Sequence, residues 1–307
     1  MGMTLIFIVL LAYCMAFVPN FTRPQNLVGL LLSVTTVGLI SCTMLFCLAA
    51  GDFDLSVGST AALAGVLAAM EMNKTGSMAM AIAVAIGAGA LIGLVNGFVI
   101  AKIGINALIT TLASMQIVRG IALITTNGSS IGVGSDSFAS LGGSRYFGVP
   151  LPIFLMLGAF VVFGLLLNFT TYGRNTLAIG GNQESARLAG IRVPRVKIWI
   201  FMLQGAMAAF AGVILASRVS SGQPNTQVGL ELQVISACVL GGVSLTGGVG
   251  TISGVVTGVL IMGVVQNALN LENVTPFVQN VITGAILLLA VMLDRLKVSA
   301  RRKLQSG

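Results

Sequence analysis

Residues 78–100 run for 23 positions without a charged side chain, and Asn96 is the one strongly polar group among them. An unbroken apolar run of that length meets the roughly 20 residues a helix needs to cross a bilayer, and it lacks the alternation that a membrane β-strand requires. Nine further windows have the same character, at roughly 3–18, 27–50, 55–71, 105–126, 150–168, 198–217, 231–247, 252–270 and 277–294. The expected fold is therefore all-α and polytopic, with about ten transmembrane helices in a single membrane domain covering 1–307. Composition agrees, since 8% of the 307 residues are charged and 56% are hydrophobic, too few polar groups to coat a soluble domain of this size. The 39 glycines and few aromatics suit membrane helices whose backbones approach closely.

The charges that remain are clustered. Arg174, Arg187, Arg192, Arg195 and Lys197 fall within residues 169–197, and Arg295, Lys297, Arg301, Arg302 and Lys303 close the chain. Cations accumulate on the cytoplasmic side of a bilayer, so both regions are expected there, with 169–197 in water. Four apolar windows separate the two regions and six precede the first, which places both termini in the cytoplasm. The connection from Asn127 to Pro150, rich in Gly and Ser, then reads as an outside loop or a short re-entrant piece. The chain opens Met-Gly-Met-Thr and turns apolar without a cationic start or a small-residue cleavage site, so it reads as a first membrane helix rather than a signal peptide.

Several chemistries are excluded. There is no histidine, so imidazole is missing for general base catalysis, metal ligation or proton relay. Cys14, Cys42, Cys47 and Cys238 lie in apolar windows without CxxC spacing, which fits small packing residues and neither a disulfide framework nor a zinc site. No lysine follows a glycine, so a phosphate-cradling P-loop is absent and any ATP must be bound by another chain. Gly87, Gly89 and Gly93, like Gly254 and Gly258, sit inside apolar windows with no strand nearby, and they read as helix-packing positions rather than a dinucleotide fingerprint. The net charge of +8 orients a membrane protein and does not point to nucleic acid. No catalytic residue, metal site or cofactor is expected on this chain.

Two glycine-rich breaks interrupt the apolar text, Gly51-Asp-Phe-Asp-Leu-Ser-Val-Gly-Ser59 and Gly241-Gly-Val-Ser-Leu-Thr-Gly-Gly-Val-Gly250. Transporters build substrate paths where helices are broken and backbone groups are freed, while a capped helix hairpin would read the same way, so both remain open. Candidate path residues are Asp52, Asp54 and Ser56 at the first break and Ser244 at the second, with Asn96, Asn106, Thr110 and Gln116 as neutral hydrogen-bonding groups. Arg119 lies within an apolar window, where a guanidinium needs a partner. Snorkelling toward the outer face is the bland alternative; pairing with a carbonyl or carboxylate near the outer mouth is favoured over direct substrate contact, and Arg119 is kept among the candidate path residues. No carboxylate occupies the centre of a window, which argues against an ion-coupled symporter.

Within 169–197 the punctuation of a short helix is visible. Asn182 can cap it, Glu184 falls in its first turn, Gly190 can close it, and Pro194 discourages continuation. A helix over Gln183–Ala189 would be marginal alone, so something must hold it. It is either a docking surface for a soluble subunit or a cationic loop on lipid headgroups.

The text Gly51-Asp-Phe-Asp-Leu-Ser-Val-Gly-Ser, Asn96-Gly-Phe-Val-Ile-Ala-Lys, Thr171-Tyr-Gly-Arg-Asn-Thr-Leu-Ala-Ile-Gly-Gly-Asn, Ala186-Arg-Leu-Ala-Gly-Ile and Leu240-Gly-Gly-Val-Ser-Leu-Thr-Gly-Gly resembles the permeases of bacterial ribose/xylose/arabinose-type ABC importers. The likeness extends from about Asn26 to Asp294. It leans toward the L-arabinose permeases through Gly-Asp-Phe-Asp, Ile105-Asn-Ala-Leu-Ile-Thr-Thr-Leu and Ser220-Ser-Gly-Gln-Pro. The resemblance implies a type II ABC-importer-like permease of the inner membrane. It would work as a homodimer with a second permease copy, a separate ATPase subunit and a periplasmic sugar-binding protein. The implied cargo is a monosaccharide, L-arabinose first, with ribose, xylose or a galactoside as alternatives. Residues 169–197 then map onto the coupling loop, with Arg174, Asn182, Glu184, Arg187, Leu188 and Gly190 meeting the ATPase. Relatives generally begin with a charged cytoplasmic arm, which this text does not show.

Overall fold

The computed structural model describes residues 2–305, with side chains described for residues 3–289, 291 and 292. The cations of the tail, Arg295, Lys297, Arg301, Arg302 and Lys303, lie outside the described side chains, as does the expectation that they orient the chain. Fourteen helices follow one another: α1 (Gly2–Phe17), α2 (Pro24–Ser33), α3 (Thr35–Ala49), α4 (Val57–Thr75), α5 (Met78–Phe98) continued by a π-helical turn (Val99–Ile103), α6 (Ala107–Thr126), α7 (Asp136–Gly143), α8 (Leu151–Phe169), α9 (Thr171–Gly181), α10 (Gln183–Leu188), α11 (Val193–Arg218), α12 (Leu230–Leu240), α13 (Ile252–Leu271) and α14 (Pro276–Gln305). Short strands trim the loops: β1 (Ile131–Gly132) pairs antiparallel with β4 (Ser221–Gly222), and β2 (Arg145–Tyr146) with β3 (Val149–Pro150).

Each of the ten apolar windows contains helix, but not ten helices of spanning length. Among the described residues, five stretches are long and apolar enough to cross a bilayer: Met78–Ile103, Ala107–Thr126, Leu151–Phe169, Val193–Arg218 and Ile252–Leu271. The window expected as one helix over 27–50 is two, α2 and α3, bent by 41° and forming a sixth span if taken together. The cause is local. Ser33 Oγ donates to the Leu30 carbonyl at 2.7 Å and Thr35 Oγ1 to that of Leu32 at 2.8 Å, hydroxyl bonds that compete with the helical ladder. The window expected over 231–247 stops at Leu240, because Gly241-Gly242 breaks the helix and Gly242 adopts φ +85°. Its eleven residues reach only about 16 Å.

At the centre stands α3, every residue of which is buried. An apolar helix without a polar face belongs inside a bundle. Around it pack α11, α12, α8 and α13, while α11 also lies along α4 and α5. Small residues set the closeness of the last pair. A Cβ on Gly89 would strike the Gly205 carbonyl, one on Gly93 that of Phe201, and one on Gly205 that of Gly89. Gly254 and Gly258 likewise face Gly241 and Ala237. Gly87 departs from the expected packing role, for it is exposed with open space where its side chain would be. The four cysteines are free and buried, as their setting predicted.

The loops gather at two ends. At one, β1 meets β4, Asn73 Nδ2 donates to the Gly132 carbonyl at 2.9 Å, and the backbone N–H of Gly142 donates to Ser217 Oγ. Residues 127–150 therefore form a folded cover containing α7 and the β2–β3 hairpin. At the other end lie the two glycine-rich breaks and residues 170–197.

Candidate functional site

The helix punctuation in 182–190 is used as written. Asn182 Oδ1 accepts from the Ser185 N–H at 2.8 Å and opens α10. Arg187 grips Glu184 with two bonds, Nε to Oε2 at 3.0 Å and the other nitrogen to Oε1 at 2.6 Å. Those bonds hold the exposed Glu184 carboxyl below its ordinary range. Gly190 takes φ +85° beyond the end, and the helix closes at Leu188, one residue short of the expected Ala189. Ala186 is buried, whereas Leu188 is 75% exposed, an apolar side chain held out in solvent beside Arg187. Arg174 is exposed as well, one helix earlier.

That earlier helix, α9, is not announced by the sequence. Thr170 caps it by accepting from the Gly173 N–H at 3.3 Å, while Thr176 and Ile179 are buried. Tyr172 lies 5.5 Å from the Phe46 ring of α3. At its far end, α9 meets both breaks backbone to backbone. A Cβ on Gly180 would collide with the Ala49 carbonyl and the Gly248 N–H, and one on Gly247 would lie 2.8 Å from the Gly180 carbonyl and 3.0 Å from the Gly51 nitrogen. The Gly248 N–H donates to the Ala49 carbonyl at 2.9 Å, joining the second break to the end of α3. Gly51 and Gly247 both hold positive φ, a conformation that glycine adopts without penalty.

Lys197 ties the other flank of residues 169–197 to the first break. Its ammonium lies 2.9 Å from Asp52 Oδ2 and 3.2 Å from Oδ1. Lys197 is 9% exposed, so it corrects the expectation that the whole segment lies in water. Burial pushes the Asp52 carboxyl up and the lysine opposes that shift. Asp54, fully enclosed, accepts from the Ser56 N–H at 2.9 Å and from Ser56 Oγ at 2.6 Å, and Ser56 Oγ in turn accepts from Asn96 Nδ2 at 3.2 Å. Three candidate path residues thus form one buried hydrogen-bonded chain from the first break to α5.

The remaining candidates stand apart. Asn106 caps α6 through the Leu108 N–H at 2.9 Å, and Thr110 Oγ1 donates to the Asn106 carbonyl at 3.0 Å. Gln116 is exposed on α6. Ser244 shares a 2.9 Å hydrogen bond with Thr246 inside the second break. Arg119 donates to the carbonyls of Pro224 at 2.6 Å and Thr226 at 2.7 Å, a carbonyl pairing of the kind its setting calls for. Sequence reasoning passed over Gly180 and Gln204, whose fully buried amide has no hydrogen-bond partner for either atom. Gln204 follows Lys197 by seven residues on α11, so the two share a helix face, and that spacing was the available signal.

No group of three or more metal-ligating residues occurs among the described residues. Glycine-packed apolar helices, interrupted at two breaks that meet a short surface helix pair, define a multi-pass membrane permease. The chain belongs to the family described as "Branched-chain amino acid transport system / permease component", whose profile matches residues 26–291. The L-arabinose transport system permease protein AraH of Escherichia coli (strain K12) is 58% identical over 301 residues, covering 98% of this chain and 92% of that protein. The L-arabinose ABC transporter permease protein AraH of Azospirillum brasilense is 53% identical, over 99% of this chain and 90% of its own. The ribose import permease protein RbsC of Bacillus subtilis (strain 168) is 42% identical, over 91% and 87%. No solved structure matches the chain.

Proposed function

We propose that this chain is the membrane-embedded permease subunit of an ATP-driven importer that moves a monosaccharide, L-arabinose, across the bacterial inner membrane by alternating access. The carrying observation is mechanical. Residues 171–197 are anchored on both broken-helix junctions, through Gly180 on α9 against Ala49 and Gly248 and through Lys197 at the start of α11 against Asp52. A push on α9 and α10 therefore reaches the breaks directly. We assign Arg174, Asn182, Glu184, Arg187, Leu188 and Gly190 to docking of a separate ATPase subunit, with exposed Leu188 as the apolar contact. ATP binding on that subunit would drive α10 toward the membrane and rock the breaks that carry Asp52, Asp54, Ser56 and Ser244. No bond is made or broken on this chain.

The choice of L-arabinose rests on near full-length identity to the two AraH permeases. Ribose is the second reading, favoured by the RbsC relatives at 42% and 38%. Ten crossings with both termini cytoplasmic, a homodimer and a periplasmic binding protein complete the proposal. The ten-crossing count is supported by the clustering of alternate connections at opposite ends. Reconstitution with its ATPase and binding protein tests this reading. ATP-dependent uptake of L-arabinose in preference to ribose supports it, whereas uptake that needs no ATP and collapses with an ionophore rejects it.

A further inference from the structure

A groove of about 680 Å³ opens between the π-helical turn that ends α5 and the segment joining α10 to α11. Its lining includes five cations, Lys102, Arg187, Arg192, Arg195 and Lys197, against one carboxylate, Glu184. Two of the five are engaged, Arg187 by Glu184 and Lys197 by Asp52. Lys102, Arg192 and Arg195 are exposed and have no carboxylate at ion-pair distance among the described residues. They surround the N-terminal end of α11, a 26-residue helix whose dipole adds positive potential there. The groove is therefore built for an anion.

Its position says which kind. The wall that carries Lys102 closes a membrane-length helix, and beyond it the surface of α5 is apolar and exposed through Leu91, Val95 and Phe98, with Ile103 exposed beside the lysine. Trp199, less than two turns into α11, is also exposed, and tryptophan settles at the headgroup level of a bilayer. An occupant must offer an anion to three cations and a hydrocarbon chain to the adjoining stripe. An acidic surface of a soluble protein meets only the first requirement.

We propose that this groove binds the phosphate of an anionic phospholipid, its headgroup among Lys102, Arg192 and Arg195 and an acyl chain along the exposed face of α5. Basic pockets between membrane helices recognise such headgroups through this combination of charge and depth. Glu184 and Arg187 line the same groove, so a bound lipid sits against α10 and helps fix its position. The inference does not depend on the assignment of α10 to ATPase docking.

Native mass spectrometry of the purified full-length permease tests it, with phosphatidylglycerol and phosphatidylcholine offered in equal amounts. Preferential retention of phosphatidylglycerol is expected, with the preference falling about fivefold for each cation neutralised in Lys102→Gln and in Arg192→Gln/Arg195→Gln. Lys102 is exposed at an element end, so K102Q, with an unchanged thermal midpoint, separates lost binding from lost fold. Equal retention of the two lipids, or a preference the substitutions leave intact, overturns the proposal. So does inorganic phosphate displacing the lipid when added alone, because the site would then take a free anion. Loss of ATPase co-purification in these variants with lipid retention unchanged assigns the cations to the protein partner and also overturns it.

Discussion

Lys197, in the second turn of α11, reaches Asp52 in the first helix break and forms an ion pair of 2.9 Å, across 145 positions of sequence. Both side chains are only 11% exposed. The pair therefore does more than neutralise two charges. It pins the start of a 26-residue membrane helix to the point where α3 gives way to α4, next to the hydrogen-bonded chain Asp54, Ser56 and Asn96.

Removing one partner leaves a buried charge alone, which costs more than losing the pair. Lys197→Met is expected to lower stability by about 3 kcal/mol, and Asp52→Asn to do nearly as much. The double variant, with no charge left to bury, should recover part of that loss. The four buried cysteines supply the readout, since a thiol-reactive dye labels them only as the bundle opens. Additive losses in the double variant would show that the two residues are not coupled.

Neighbouring glycines at the end of α9 allow a controlled test of the junction. A methyl group at Gly180 meets the Ala49 carbonyl, while nothing lies within 4 Å of one at Gly181. Gly180→Ala should cost about 1–3 kcal/mol through backbone displacement and should reduce ATP-dependent uptake disproportionately. Gly181→Ala should change neither thermal midpoint nor uptake. Equal behaviour of the two variants would remove the reason for placing force transmission at Gly180.

The helices that carry unbroken apolar text are legible in the sequence because a bilayer leaves such text little alternative. The break at Val34 is not, since it depends on where the hydroxyls of Ser33 and Thr35 point rather than on their presence. The helix α9 is hidden for another reason. Its text, Tyr172 to Gly181, is polar and glycine-rich, and its order comes from Phe46, Ala49 and Gly248, all distant in sequence. Lys197 is visible as a cation, yet its partner sits in a loop of a different helix pair, and no spacing rule links them. By contrast, Asn182, Glu184 and Gly190 are readable because capping is local.

Arg119 supplies a third test, at the opposite end of the molecule. Its guanidinium bonds two backbone carbonyls, Pro224 and Thr226, that hold the 219–229 connection over α4 and α6. Arg119→Leu removes both donors and should cost about 2–3 kcal/mol. Amide exchange should rise within 219–229, while residues 171–188 keep their protection. Protection of 219–229 that stays at the wild-type level would mean the loop is held by β1–β4 pairing alone.

Leu188 and Arg187 carry the last test, because they separate docking from folding. Leu188 is mostly exposed and, among the described residues, the Arg187 side chain bonds Glu184 alone, so replacing them disturbs little of the bundle. Arg187→Ala/Leu188→Ala should leave the thermal midpoint near wild type while ATPase co-purification drops about tenfold or more, as expected when an apolar anchor and its neighbouring charge are both removed from an interface. The Glu184 carboxyl, depressed by Arg187, is stabilised in its charged form; such a contribution is present above the ordinary carboxylate value and fades only as pH falls through the depressed one. Co-purification should accordingly be unchanged from neutral pH to about pH 5. Loss of association well above that pH would shift the docking role away from the Glu184–Arg187 pair, and full co-purification of the double variant would remove it from α10.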